Sequence, residues 1–139
     1  MTPSIALTAS VSTVMHNGVI NIAPQTTLRE AAAEMARHGV HCVVVEGLAR
    51  GADRQEQLVW GLLSDLDLMK SVAAGRSDVS AGEFAATEIV TVDPTDTIEH
   101  VVQLMAEHDC THLVVVSPES QLPVGVVSSL DIAGALARG

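Results

Sequence analysis

Residues 20–45 and 90–115 are one segment written twice, and this internal repeat limits what the chain can fold into more than any single motif does. At an offset of 70, INIAPQTTLREAAAEMARHGVHCVVV falls on VTVDPTDTIEHVVQLMAEHDCTHLVV, with identity at Pro24/Pro94, Thr27/Thr97, Met35/Met105, Ala36/Ala106, His38/His108, Val44/Val114 and Val45/Val115. Farther along, GLLSDLD (61–67) matches GVVSSLD (125–131) at an offset of 64, so the first copy carries six extra residues within GLARGADRQEQL (47–58). That stretch is polar and contains glycine and arginine, the composition of a surface loop.

Each copy presents the same signals in the same order. A short β-branched run (Val19 to Ala23; Ile89 to Val92) reads as a strand that Pro24 or Pro94 ends. Thr27 then opens a TxxE capping box with Glu30, and Thr97 takes the matching N-cap position. Apolar residues recur at helical spacing as Leu28, Ala32 and Met35, and as Ile98, Val102 and Met105, before Gly39 and Asp109 close the helices. A second strand (Cys42 to Glu46; His112 to Val116), a hairpin loop and a third strand (Leu58 to Leu63; Pro123 to Val127) lead to a second helix at Ser64 or Ser128.

A short helical lead-in (Val11 to Met15; Val79 to Ala85) precedes each unit, which places the repeats at 8–75 and 76–139. The expected fold class is α+β, built from two β-α-β-β-α repeats. A unit of about 55–60 residues buries too little surface to be stable alone, so the two are expected to pack about a pseudo-twofold axis.

Composition narrows the functional classes. Hydrophobic residues make up 47% of the 139-residue chain and charged residues 17%, which is a folded domain and not a disordered tail. Trp60 and Phe84 are its only aromatics, so recognition by aromatic stacking is excluded as a main device. A net charge of −10 argues against nucleic acid and against anionic membranes as partners. A small anion remains compatible, because backbone N–H groups at a helix N-terminus hold one without net positive charge. The first basic residue is Arg29 and no apolar run reaches about 20 residues, so a soluble cytoplasmic protein is expected. Cys42 and Cys110 lack CxxC spacing and read as reduced, buried thiols.

The GxxSxxD elements carry the chemistry. Glycine on the strand admits a close neighbour, the serine hydroxyl sits at the helix mouth, and the aspartate has acceptor capacity for a cis-diol. SxxD is equally a capping box that needs no ligand. His41, Cys42, Cys110 and His112 form a set with the donor types that suit Zn²⁺, although His41 and Cys42 point to opposite faces of a strand. His38 and His108, late in their helices, suit the helix dipole. No nucleophile has a base and an orienting acid at plausible positions, so an enzyme is not expected.

The lead-in, the strand-Pro-helix segment and the GxxSxxD ending, repeated in order from Val11 to Ala137, resemble a tandem pair of cystathionine-β-synthase (CBS) domains, a Bateman module. The resemblance implies a regulatory module that binds adenosine-containing ligands such as AMP, ADP, ATP or S-adenosylmethionine in clefts between repeats, with no cofactor required for a reaction. It places Asp67 and Asp131 on ribose hydroxyls and Ser64 and Ser128 on ribose or phosphate. It also sets Ile20, Ile89 and Val90 beside adenine, together with the strand starts at His41, Cys42, Thr111 and His112.

Where many nucleotide-binding members have a basic residue after the serine, this chain has Asp65 and Ser129. Asp65 repels a phosphate beside it by about 1 kcal/mol or more at a partly exposed site, which favours the second element for phosphorylated ligands.

The expected protein is a stand-alone sensor whose output lies in a partner protein or in oligomer state. A homodimer is expected through aliphatic helix faces at Leu66, Leu68, Met69, Leu130, Ile132 and Leu136. A ligand-free dimerisation or interaction module is the competing reading, and a His/Cys metal-binding module the third.

Overall fold

The computed structural model describes residues 5–49, 58–76, 78–85 and 89–138. In chain order the elements are α1 (Ile5–Thr8), a 3-10 turn (Val11–Thr13), β1 (His16–Asn17), β2 (Asn21–Ile22), α2 (Leu28–His38), β3 (Cys42–Ala49), β4 (Leu58–Ser64), α3 (Asp65–Ala73), α4 (Ala81–Phe84), β5 (Thr91–Val92), α5 (Ile98–His108), β6 (His112–Val116), β7 (Pro123–Ser128) and α6 (Ser129–Arg138). This is the expected α+β content, with each repeat delivering its β-α-β-β-α order. Most of the loop within 47–58, residues 50–57, lies outside the described residues.

Two compact units form, and they recombine the sequence repeats. One comprises 20–89, the other 1–19 together with 90–139. The lead-in of each copy therefore belongs to the unit built on the other copy's strands, a different division from the proposed repeat boundaries 8–75 and 76–139.

Unit 20–89 has a three-stranded sheet in the order β2-β3-β4. β2 runs parallel to β3, which requires the α2 crossover between them, and β3 pairs antiparallel with β4. Leu28, Ala31 and Met35 of α2 pack with Val43, Val45, Leu63 and Leu68 in an aliphatic core that Ala81 and Ala85 of the lead-in complete. Ala31 and not Ala32 is fully buried, because a stripe at i, i+3, i+7 points more directly at the sheet. β3 extends past Glu46 to Ala49, through an irregularity at Gly47, whose φ of 83° is a left-handed conformation that favours glycine.

The other unit adds an edge strand, giving the order β1-β7-β6-β5. Its core repeats the pattern with Ile98, Val101, Met105, Leu113, Val115 and Val127, closed by Val11 of the lead-in. β1 pairs antiparallel with β7, His16 opposite Val126 and Asn17 opposite Gly125.

The helix signals in the sequence hold in detail. Thr27 and Glu30 form both halves of a capping box, and the Thr97 hydroxyl accepts the His100 N–H at 3.1 Å. Gly39 and Asp109 both adopt the left-handed conformation, with φ of 63° and 54°. Within the described residues no helix is long and apolar enough to cross a membrane.

Candidate functional site

β4 runs straight into α3, and β7 into α6, so each GxxSxxD element places its serine at a strand end and its aspartate one turn inside a helix. In the first element, Ser64 N–H donates to Asp67 Oδ2 (3.0 Å), Ser64 Oγ–H donates to the same oxygen (2.9 Å), and Asp67 N–H donates back to Ser64 Oγ (3.2 Å). The carboxylate is thereby fixed through one oxygen. Among the described residues Asp67 Oδ1 has no hydrogen-bond partner.

The second element repeats two of these bonds, Ser128 N–H to Asp131 Oδ2 (2.9 Å) and Asp131 N–H to Ser128 Oγ (3.1 Å). Its other oxygen is taken: Asp131 Oδ1 lies 3.2 Å from His16 Nε2. The two elements therefore differ at the oxygen left for a diol, a difference that neither motif shows by itself.

The first-turn N–H groups are less available than a bare helix mouth suggests. Asp65 N–H donates to His41 O and Ser129 N–H to Thr111 O, each at 2.8 Å, and those of Asp67 and Asp131 are held by the serines. Each first turn therefore presents fewer donors to a phosphate than the motif alone implies. These bonds tie each helix start to the beginning of the neighbouring strand.

The residues expected near an adenine are distributed over both units. Cys42 lies directly opposite Ser64 across the β3–β4 pair, and His112 opposite Ser128 across β6–β7. Ile20 packs half-buried against the core of unit 20–89, and its carbonyl accepts the Val44 N–H at 2.8 Å. Val90 packs against the core of the other unit, while Ile89 belongs to unit 20–89. Cys42 is 8% exposed, and burial, followed by the Asp65 charge, pushes its thiol up to about 11. It is a neutral packing group at ordinary pH, and Cys110 is likewise a free thiol whose pKa burial raises.

Beside the first element His41 Nδ1 lies 2.9 Å from Asp65 Oδ2, both side chains half or more exposed. Beside the second, the Thr111 hydroxyl and His112 Nδ1 are 3.0 Å apart. Among the described residues no group of three or more His, Cys, Asp or Glu side chains is placed to hold a metal ion; His41 and Cys42 belong to unit 20–89, and Cys110 and His112 to the other unit.

The helix faces expected to be exposed also need correction. Leu66, Met69, Leu130 and Leu136 are exposed, but Leu68 and Ile132 are core residues, because they sit on the side of α3 and α6 that meets the sheet. Val72 joins Leu66 and Met69 to complete an exposed i, i+3, i+6 stripe.

Sequence reasoning missed His16 and β1. The available signal was an asymmetry: at the offset of 70, His16 falls on Ala86, so only one copy carries an imidazole there. It also read the glycine of GVVSSLD as room for a neighbour without naming it. A Cβ on Gly125 would lie 2.5 Å from the His16 carbonyl oxygen and 3.1 Å from Met15 Sδ, so the neighbour is β1 itself.

The CBS domain model matches residues 11–74 and 81–138. The chain belongs to the CBS domain family. The CBS domain-containing protein YhcV of Bacillus subtilis is 30% identical over 127 residues, covering 90% of this chain and 84% of that protein. Hypoxic response protein 1 of Mycobacterium tuberculosis is 32% identical over 123 residues, covering 86% and 80%. The solved structure of that protein, described with two coordinated zinc ions, superposes with a TM-score of 0.66 at 29% identity, over 91% of this chain and 98% of its own. A CBS domain protein from Pyrobaculum aerophilum in complex with AMP superposes at 0.72 with 26% identity, over 94% and 99%.

Proposed function

We propose that this CBS pair is a regulatory module that binds an adenosine-containing ligand at its two GxxSxxD elements, with Asp67 and Asp131 accepting ribose hydroxyls and Ser64 and Ser128 beside them. The observation that carries the reading is the Asp67 carboxylate, whose Oδ2 accepts from both the Ser64 N–H and the Ser64 hydroxyl while, among the described residues, Oδ1 has no hydrogen-bond partner. A preset acceptor loses little freedom when a diol arrives, which favours binding. Ile20, Ile89 and Val90 supply apolar surface, and Cys42 and His112 are the residues across from the serines. The AMP complex of the Pyrobaculum relative supports the ligand class. Occupancy is transmitted through packing or oligomer state, and the stripes Leu66, Met69, Val72 and Leu130, Leu136 suit a homodimer.

A second reading has its own support. The capping bonds at both serines are complete without any ligand, as an interaction module that only dimerises would require. Thermal unfolding against AMP, ADP, ATP, S-adenosylmethionine and NAD separates the two. A ligand at 100 times its Kd adds about 2.7 kcal/mol and raises the midpoint. Each variant is compared with its own ligand-free midpoint, because Asp67→Ala and Asp131→Ala also remove cap bonds. A shift that survives the double variant, or no shift from any panel member with wild type, overturns the ligand reading. Light scattering of Leu66→Asp and Leu130→Asp reads the dimer, which both substitutions are expected to weaken.

A further inference from the structure

We infer that His16 makes the second GxxSxxD element selective for a nucleoside with an anionic 5′ group, a nucleoside monophosphate, while the first element takes nucleosides without one; this rests on the ligand reading above. His16 reaches Asp131 because β1 pairs with β7 and Gly125 lets the His16 backbone approach. The contact joins an exposed side chain to a shielded one, 77% against 16%. Asp131 is therefore the fixed partner, and His16 the one with room to turn.

The exchange at Asp131 is balanced. A ribose hydroxyl takes the place of His16 Nε2 on Oδ1, and the freed imidazole N–H turns to the phosphate of the same ligand. No donor or acceptor is left unsatisfied, so no desolvation penalty opposes the swap. A neutral nucleoside gives His16 nothing in return for leaving Asp131.

The first element is built the other way. Ala86 stands where the offset of 70 would place a second imidazole, and Asp65 adds a carboxylate beside Asp67 where the second element has Ser129. The nearby His41 is engaged with Asp65 at 2.9 Å. Asp131 is the one acidic side chain within ion-pair distance of His16 among the described residues.

Calorimetric titration of the whole chain with AMP and with adenosine tests this, in an Asp67→Ala background that leaves the second element as the binding site. His16→Ala is expected to weaken AMP about tenfold, the size of one charge-assisted hydrogen bond, while adenosine is not weakened and tightens by whatever breaking the His16–Asp131 contact had cost it. His16→Arg is expected to keep the preference for AMP. Equal losses for both probes would mean that His16 only orients Asp131, and unchanged AMP binding would mean that it does not meet the phosphate; either overturns the inference. If wild type binds neither probe, the ligand reading fails and this inference falls with it. If wild type binds both and only the His16 series is flat, the ligand reading stands alone.

Discussion

Replacing Gly125 with alanine is the sharpest test of how the second element is built. The added methyl carbon would sit 2.5 Å from the His16 carbonyl oxygen, and that gap must open by roughly 0.5–1 Å to become a normal contact. Gly125 is buried on β7, a strand paired along its length with β6, whereas β1 is a two-residue edge strand, so β1 yields. Its departure weakens the His16 and Asn17 pairing, the Gly18 N–H to Val124 O bond of 2.8 Å and the His16–Asp131 contact.

Overpacking of this kind costs about 1–3 kcal/mol, or about 3–10 °C of midpoint for a chain of this size. Gly134→Ala is the matched control. There the new methyl meets only the tip of Arg138 at 3.3 Å, in the interior of α6, and the substitution should stabilise by about 0.5–1 kcal/mol through helix propensity. Urea unfolding of both variants gives the two signs. A Gly125→Ala protein within about 0.5 kcal/mol of wild type would refute the close approach of β1 to β7, and with it the placement of His16.

Three other outcomes follow from the structure. The Cys42 thiol, raised from 9.0 to about 11, stays protonated in the folded chain while the unfolded chain ionises; stability is thus full below 9.0 and falls by up to about 2–3 kcal/mol as pH rises to about 11. Cys42→Ala should flatten that alkaline limb in pH-dependent urea titrations. Asp109→Gly should stabilise by about 0.5–1 kcal/mol in calorimetry, by relieving a left-handed non-glycine residue and removing a negative charge from the C-terminus of α5. Ser64→Ala should cost about 1 kcal/mol in urea unfolding and Ser128→Ala less, because only the Ser64 hydroxyl also donates to its aspartate.

The sequence carried the helix ends and strand runs that local bonds and periods define, though not α1. Thr27, Glu30, Thr97, Gly39 and Asp109 mark helix ends through bonds made within a few residues, so each was readable where it stood. The apolar periods marked the strands and, at Leu28, Met35, Ile98 and Met105, the buried sides of α2 and α5, but at Ala32 and Val102 they fell one residue past the buried Ala31 and Val101; the double GxxSxxD placed both candidate elements at strand-to-helix junctions. Period alone could not separate Leu68 and Ile132 from the exposed stripe, since the direction of a helix face is set by the sheet beneath it.

What the tertiary structure decided lies in pairings far apart in sequence. A two-residue strand such as His16–Asn17 has no period to read, and its partner is more than a hundred residues away. Only the fold joins the first lead-in to the second copy's sheet, brings His16 to Asp131 and, among the described residues, leaves Asp67 Oδ1 without a partner. The repeat fixed two helix mouths that already differ in sequence at Asp65 and Ser129; backbone pairing between distant segments added the difference at the aspartate oxygens.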